Sequence, residues 1–188
     1  MMNEPATRRL KTAIVGCGKV GTTHALAYQA LASSEFVGVC DVALDRAQEF
    51  AQRFQVHAYA DLAEMLRQEK VDVLSVCTQH TQHVSAVEIA AAGGVNVIAE
   101  KPLAVDLPSC DRALEVARAA GIKLGVISQR RWYEPVQRMK EAIDSGKIGR
   151  PANRRFHTAP GQHKSRSDAT IGQPGRANAA ETRRFWIL

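Results

Sequence analysis

The chain has 188 residues, 45% of them hydrophobic, which suffices for one domain and part of another and excludes global disorder. Its charge of +6 is unevenly distributed: residues 1–153 hold 18 basic and 17 acidic side chains, while residues 154–188 hold 7 and 2. The body of the chain is therefore nearly neutral. Because the basic tail lacks interleaved aromatic residues and regular basic spacing, we expect no nucleic-acid partner.

The four cysteines are widely separated and form no CxxC pair. Such spacing is unlike that of a secreted disulfide scaffold, so we expect small apolar side chains in a reducing compartment and no metal site. The four are Cys17, Cys40, Cys77 and Cys110.

No apolar run in the sequence approaches the length of a membrane-spanning helix, so we expect no membrane association. The pair Arg8-Arg9 is similar to the start of a twin-arginine export signal. The segment that follows is interrupted by Gly16, Gly18 and Lys19, which breaks the apolar stretch of such a signal. We therefore expect the protein in the cytoplasm.

Near-continuous apolar runs alternate with helical patterns as far as Gln129. The runs are typical of parallel strands buried on both faces, and the alternation predicts a doubly wound α/β sheet with right-handed crossovers. The predicted strands are Thr12–Val15, Phe36–Cys40, Val71–Cys77, Val95–Ala99 and Lys123–Ser128. The predicted helices include one containing Leu44 to Phe54, one at His83–Ala92 and one at Ser109–Ala120.

The pattern changes after Gln129. A helix is predicted from Glu134 through Ile143, and a strand around Ala152–Phe156. From His157 to Arg184, Ile171 is the one large aliphatic or aromatic residue, too little apolar surface to offset the entropy of ordering. The expected organisation is a dinucleotide-binding domain at 1–129, the start of a second α/β domain at 130–156, and a poorly ordered basic tail at 157–188.

A glycine-rich turn, GCGKVG, directly follows the first predicted strand and opens a helical stretch. Its GxGxxG spacing in that setting is typical of dinucleotide-binding turns. We expect Gly16 to allow a tight turn, Gly18 the close approach of a pyrophosphate, and Gly21 close packing of the helix on the strand. Backbone N–H groups at the helix start would meet the phosphate charge. The alternative is a purely structural turn.

Asp41 stands at the end of the second predicted strand, twenty residues after Gly21. A carboxylate at that position accepts hydrogen bonds from the adenosine ribose hydroxyls. A 2′-phosphate would face the same carboxylate, and position 42 is Val rather than Arg, so the sequence favours NAD over NADP. The alternative is that Asp41 caps the turn into the helix that contains Leu44.

Polar clusters follow three predicted strands, at the edge where doubly wound sheets carry their sites. They are Cys77-Thr78-Gln79-His80, Glu100-Lys101-Pro102 and Gln129-Arg130-Arg131-Trp132. Lys101 is suited to polarise or protonate a substrate oxygen while hydride passes to a nicotinamide, and the alternative is a surface pair with Glu100. His80 and His83 lack a third metal ligand, so a capping or packing role is expected for His83.

These motifs together resemble the N-terminal half of the Gfo/Idh/MocA family, the relatives of glucose–fructose oxidoreductase and inositol 2-dehydrogenase. The resemblance extends from Lys11 to about Pro151, some three quarters of the chain. It rests on the glycine turn with Asp41, on Cys77-Thr78 leading to His83, on Glu100-Lys101-Pro102-Leu103, and on the stretch from Gln129 through Lys140 to Gly149-Arg150-Pro151.

The resemblance implies an NAD(P)-dependent dehydrogenase whose small-molecule substrate is a secondary alcohol of a sugar, cyclitol or related polyol, or the corresponding ketone. It implies that Lys101 is the catalytic residue, directed toward the reacting oxygen. The glycine turn would hold pyrophosphate, Asp41 the ribose, and the later clusters the nicotinamide side. The implied cofactor-binding residues are Gly16, Gly18, Lys19, Val20, Gly21, Asp41, Cys77, Thr78, His80, His83, Glu100, Lys101 and Gln129.

Two features depart from the family pattern. Gln79 stands where the family usually has Pro after the threonine, which is expected to loosen that loop. Family members are roughly twice this length, and their second half supplies an Asp-x-x-x-His catalytic pair. No Asp of this sequence has a His four residues on. We therefore expect the chain to keep the cofactor half, to lose the substrate half, and to lack the sheet through which family members pair.

A reading-frame change near residue 155 is one hypothesis for this loss of pattern. The codons of residues 180–188, read two bases over, can encode a glycine-rich aliphatic segment similar to one in relatives. Nucleotide sequence downstream of the stop codon tests the hypothesis.

The alternative function that the sequence leaves open is a non-catalytic NAD-binding module.

Overall fold

The structure, a computed structural model, describes residues 8–149. The chain divides into two units, the first ending at Ser128 and the second beginning at Gln129. The predicted strand at 152–156 and the predicted tail at 157–188 lie outside the described residues.

The sheet of the first unit is built from six strands: β1 (Leu10–Val15), β2 (Ser34–Cys40), β3 (His57–Tyr59), β4 (Val73–Val76), β5 (Asn96–Ala99) and β6 (Leu124–Val126). All neighbouring strands are parallel, and their spatial order is β3-β2-β1-β4-β5-β6. The order reverses between β1 and β4, which is the topological switch point of a doubly wound sheet. The predicted Rossmann-type α/β fold is confirmed.

The helices described in this unit are α1 (Lys19–Ala30), α2 (Leu44–Phe54), α3 (Leu62–Glu69), α4 (His83–Ala92) and α5 (Leu107–Ala119). Helix α5 begins two residues before its predicted start. The Asp106 carboxylate accepts a hydrogen bond from Ser109 N at 2.8 Å and so caps the first turn. Pro108 is tolerated there because the first turn of a helix leaves its N–H groups unpaired.

Two short elements, β3 and α3, are absent from the predicted set. Strand β3 has three residues, none fully buried, so no apolar run marks it. Helix α3 follows Asp61, whose side chain accepts a hydrogen bond from Glu64 N at 2.7 Å. The spacing Asp61-x-x-Glu64 is a helix-start signal, and it is the feature of the sequence that could have located α3.

Successive side chains of β1 enter two different apolar clusters, because helices cover both faces of the sheet. Ala13 and Val15 pack in one cluster, whereas Ile14 packs in the other. Burial on both faces explains why the strands appear in the sequence as continuous apolar runs. The first cluster includes Met65, Leu66, Val87, Ala90 and Ala113, and the second includes Tyr28, Phe50 and Phe54.

In the second unit, a 3-10 turn at Gln129–Trp132 precedes α6 (Glu134–Asp144). Ion pairs one helical turn apart, Glu134 with Arg138 and Lys140 with Asp144, run along α6. Across residues 8–149, no helix combines the length and the apolar character needed to cross a bilayer.

Candidate dinucleotide site

A cleft of about 600 Å³ opens where β1, β2 and β4 end, beside the switch point of the sheet. This edge is where open α/β sheets bind their ligands. The cleft is lined by parts of the glycine turn, of the β2–α2 connection and of the segment after β4. The lining residues used below are Gly16, Gly18, Asp41, Arg46, Cys77 and Thr78.

Gly16 and Gly21 are glycines because the fold leaves no room for a side chain. Gly16 has a φ of +100°, and a Cβ there would lie 2.6 Å from the carbonyl carbon of Cys77. A Cβ at Gly21 would lie 2.3 Å from the carbonyl oxygen of Gly16. The first glycine brings the turn against β4, and the second brings α1 against the turn.

Gly18 differs, because neither backbone conformation nor packing within the described residues requires a glycine there. Its φ is −94°, which any residue adopts, and a Cβ would meet no atom within 4 Å. Gly18 is exposed at the N-terminus of α1, where no side chain caps the helix and no acidic residue occupies the first turn. Lys19 and Val20 are exposed in that turn. This geometry leaves open backbone that an anionic group can approach.

Asp41 connects the glycine turn to the start of α2. The carboxylate is 6% exposed; Oδ2 accepts a hydrogen bond from Cys17 N at 2.9 Å, and Oδ1 accepts one from Ala43 N at 3.0 Å. An ionised carboxylate has about four acceptor positions, so it retains capacity for donors in the cleft. The turn-capping interpretation and the ribose-binding interpretation are therefore compatible.

Arg46 is a cleft residue that the sequence reasoning missed. Its Nη1 lies 3.7 Å from Asp41 Oδ2, and its side chain is 57% exposed. Val42, the position next to Asp41, points into solvent and is 85% exposed. The signal for Arg46 in the sequence is a basic residue in the first turn of the helix that follows Asp41.

The segment after β4 carries three of the predicted residues. Burial raises the pKa of Cys77 to about 12, and the nearby charge of Glu100 adds to this, so the side chain is a neutral thiol. Thr78 is partly exposed, and His80 is exposed in a 3-10 turn at His80–Gln82. Gln79 has φ −66° and ψ 143°, so its backbone adopts the φ that proline would impose.

His83 is buried under this edge and connects two loops. Its Nδ1 lies 3.0 Å from the carbonyl oxygen of Pro102, and its Nε2 lies 3.1 Å from that of Thr78. A neutral imidazole donates through one nitrogen, whereas a doubly protonated ring donates to both oxygens. The ring thus ties together the segments that follow β4 and β5. Within residues 8–149, no group of His, Cys, Asp and Glu is arranged to hold a metal ion.

Glu100 is directed inward rather than paired with the side chain next to it. Its Oε1 lies 3.1 Å from His24 Nε2, and Oε2 accepts a hydrogen bond from Lys101 N at 3.3 Å. The Glu100 side chain is 17% exposed, while Lys101 is exposed. The alternative of a surface ion pair between Glu100 and Lys101 is therefore not what the structure contains.

Gln129, the last predicted site residue, is the first residue of the second unit and opens the 3-10 turn before α6. The other twelve residues lie in the first unit, at the ends of β1, β2, β4 and β5 and in the first turn of α1 or α4.

The sheet order, the glycine turn and the carboxylate at the end of β2 define the first unit as a dinucleotide-binding Rossmann domain. Residues 10–128 match the profile of the GFO_IDH_MocA oxidoreductase family, described by its NAD-binding Rossmann fold. The chain belongs to this family.

The relatives that the chain matches include dehydrogenases of a sugar and of a cyclitol. D-apiose dehydrogenase of Paraburkholderia graminis is 32% identical over 168 residues, which cover 89% of this chain and 44% of that protein. Myo-inositol 2-dehydrogenase of Thermotoga maritima is 30% identical over 143 residues, 76% of this chain and 43% of that protein. The chain thus spans less than half the length of these relatives.

A solved structure of similar fold is that of the WlbA dehydrogenase from Bordetella pertussis in complex with NADH and UDP-GlcNAcA. It superposes with a TM-score of 0.74 and 28% sequence identity, and the match covers 78% of this chain and 43% of that chain.

Proposed function

We propose that the first unit binds NAD, with the pyrophosphate at the glycine turn and the adenosine ribose at Asp41. The observation that carries this proposal is Gly18, an exposed glycine that neither its φ nor its neighbours require. A glycine of this kind is explained by a ligand that comes close to the backbone. Lys19 and Val20 contribute their backbone N–H groups at the same helix start.

NAD is preferred over NADP in this proposal because of the charge at the ribose end. Asp41 is buried and already accepts two backbone hydrogen bonds, which keeps its carboxylate at the cleft wall. Ribose hydroxyls donate to a carboxylate, whereas a 2′-phosphate is repelled by it. Arg46, 3.7 Å away, offsets that repulsion only in part because it is half exposed and paired with Asp41.

The proposed reaction is hydride transfer between the nicotinamide and a secondary alcohol of a sugar, cyclitol or related polyol. The nicotinamide supplies the hydride chemistry, and the chain supplies orientation and a proton. Lys101 is exposed after β5, on the side of the sheet opposite Asp41 across the switch point. Its ammonium group polarises or protonates the reacting oxygen. Thr78 and His80 are proposed to border the nicotinamide.

The four free cysteines fit a reducing compartment, and we propose the cytoplasm.

Calorimetric titration of the full chain with NAD and with NADP tests the binding proposal. We expect NAD to bind at least about tenfold more tightly, the ratio that corresponds to one unfavourable charge contact. Equal affinity for both nucleotides would contradict the assignment of Asp41, and no binding of either would contradict the function.

NADH absorbance with a panel of polyols and sugars tests the catalytic proposal. Lys101→Ala should abolish any turnover while leaving NAD affinity within about twofold, because the proton donor is lost. Lys123→Ala, which removes another exposed lysine from the first unit, is the matched control. Full activity of the Lys101 variant would contradict the role given to this residue.

A second candidate function is NAD binding without turnover. The observation that favours it is a sequence in which no Asp has a His four residues on, the spacing of the family's catalytic pair. NAD binding without NADH formation across the panel would support this candidate over the first.

A further inference from the structure

A continuous chain of polar contacts runs under the sheet edge, from α1 through β4 to Glu100. Tyr28 Oη lies 2.6 Å from Ser75 Oγ, and Ser75 Oγ lies 3.0 Å from His24 Nδ1. His24 Nε2 in turn lies 3.1 Å from Glu100 Oε1. Tyr28 and Ser75 are buried, and the side chains of His24 and Glu100 are 13% and 17% exposed. These contacts belong to none of the roles assigned above.

The two ends of this chain determine which atom donates at each step. Burial raises the pKa of Tyr28, so the phenol keeps its proton. An ionised Glu100 only accepts, so His24 Nε2 carries a proton. In a neutral ring Nδ1 then accepts from Ser75, so the Tyr28 hydroxyl donates to Ser75 Oγ, and every proton along this chain of contacts has an acceptor. A doubly protonated His24 would instead donate to Ser75 Oγ, and one of the two hydroxyl protons of Ser75 and Tyr28 would then lack an acceptor among the described residues.

These contacts fix the orientation of the Glu100 carboxylate, because each of its two oxygens receives a hydrogen bond. Oε1 is held by His24 from α1, and Oε2 is held by the backbone N–H of Lys101. A carboxylate that receives two donors retains acceptor positions for hydroxyl groups at the edge of the sheet. Glu100 follows β5, whereas Asp41 follows β2, so the two carboxylates stand on opposite sides of the switch point.

We propose that His24 is a positioning residue that holds the Glu100 carboxylate ready to accept hydrogen bonds from hydroxyls of the nicotinamide half of the dinucleotide. The proposal rests on the proposed function, since it assigns Glu100 a ligand only if NAD binds along this edge. It adds a residue of α1 to the site, 76 positions before the carboxylate that it orients.

The test compares NAD with ADP, which keeps the adenosine and the two phosphates but lacks the nicotinamide and the ribose attached to it. The side-chain amide of His24→Asn lies near the position of Nδ1, whereas that of His24→Gln reaches toward the position of Nε2. We expect His24→Asn to weaken NAD binding about tenfold, the loss of a charge-assisted hydrogen bond, with ADP affinity within about twofold. His24→Gln should restore most of the NAD affinity.

The matched control is His57→Gln on β3. It removes a histidine whose Nδ1 lies 2.7 Å from Glu69 Oε1 and which does not line the cleft. This variant should change neither affinity. Unchanged NAD affinity in His24→Asn, or an equal loss for NAD and ADP, would overturn the proposal, because an equal loss is the result of a merely structural role.

A measurement without ligand separates this proposal from the proposed function. Nitrogen-15 NMR of the full chain should find His24 as the tautomer protonated at Nε2, and Tyr28→Phe should perturb the Nδ1 resonance. A ring protonated at Nδ1 alone would overturn the proposal even if NAD binds. Wild-type protein that binds neither NAD nor ADP would overturn the proposed function, and the nicotinamide role of Glu100 with it.

Discussion

Gly18 and Gly21 stand three residues apart, but packing within the chain excludes a side chain only at Gly21. The chain itself excludes a side chain at Gly21, where a Cβ would meet a backbone oxygen at 2.3 Å. At Gly18 the described residues leave open space. A methyl group added at each position therefore separates the demands of the fold from the demands of a ligand.

Gly18→Ala should leave the free energy of unfolding within about 0.5 kcal/mol of wild type, as expected for an exposed substitution without strain. NAD affinity should fall at least about tenfold, because the methyl group occupies the path of the pyrophosphate. Gly21→Ala, the control, should lower the unfolding free energy by about 1–3 kcal/mol through overpacking. Denaturant unfolding and calorimetry measure both. Wild-type NAD affinity in Gly18→Ala would contradict the pyrophosphate assignment.

Asp41→Asn should raise the ratio of NADP affinity to NAD affinity by at least about tenfold. The substitution removes the charge that repels a 2′-phosphate and releases Arg46, now 3.7 Å from that charge, to bind it. Adding Arg46→Ala should cancel the gain for NADP. Asp45→Asn, an exposed neighbour on α2, is the matched control. Calorimetric affinities decide the matter, and an unchanged ratio in Asp41→Asn would refute the selectivity argument.

The residues that sequence reasoning missed share a physical cause. Glycine spacing and a strand-end carboxylate are local signals, so the turn and Asp41 could be singled out from the sequence. His24 contacts Ser75 and Glu100, 51 and 76 positions away, and only the strand order brings the three together. Arg46 is closer in sequence, but its contact with Asp41 depends on how the β2–α2 connection turns.

At the scale of elements, Asp72 connects three strands at the edge of the sheet opposite the cleft. Its carboxylate accepts hydrogen bonds from Arg8 Nη2 at 2.7 Å and Lys11 N at 2.8 Å. Its carbonyl oxygen accepts one from Asn96 N at 3.1 Å. The side-chain bond from Arg8, aided by Lys11 and opposed by burial, lowers the pKa of Asp72.

This lowered pKa gives the contribution of Asp72 to stability a definite pH dependence. The contribution is fully present above the unfolded-state pKa of about 3.9 and is lost as the pH falls through the lower folded-state pKa. Asp72→Asn should therefore lower the free energy of unfolding at pH 7. In strong acid the difference between this variant and the wild type should disappear. Because the Arg8 side chain is 68% exposed, added salt should shrink the difference. Denaturant midpoints of both proteins across pH measure it, and a pH-independent difference would be the contrary result.

The elements differ in how plainly the sequence predicts them. Strands buried on both faces, such as β1 and β4, are continuous apolar runs, and α2 and α4 were predicted at their observed positions. Strand β3 is three residues long and pairs with β2 alone, so tertiary contact rather than composition makes it a strand. Helix α5 begins two residues before its predicted start, because Asp106 caps it and Pro108 is compatible with its first turn.

At the scale of the whole molecule, every fully buried side chain among the described residues lies before Ser128. The buried residues of the first apolar cluster extend to Ala113 of α5, and those of the second end at Phe54 of α2. The dehydrogenase family to which the chain belongs is matched over residues 10–128, which includes all of this core. The first unit thus holds the interior that folding requires.

A fragment ending at Ser128 should accordingly fold cooperatively and bind ADP-ribose within about threefold of the full chain, since core and adenosine side are complete in it. Thermal unfolding by circular dichroism and calorimetry are the measurements. The full chain measured in parallel is the reference. A fragment that shows no cooperative transition would mean that residues after 128 complete the fold.

The two backbone hydrogen bonds of Asp41 have a kinetic consequence. Cys17 N and Ala43 N already hold this carboxylate, so loop, strand end and helix start are joined before any nucleotide arrives. A docking surface assembled in advance needs no slow rearrangement after encounter. NADH mixed rapidly with the protein should therefore bind in one exponential phase whose rate rises linearly with concentration. A rate that levels off would reveal a slow closing step.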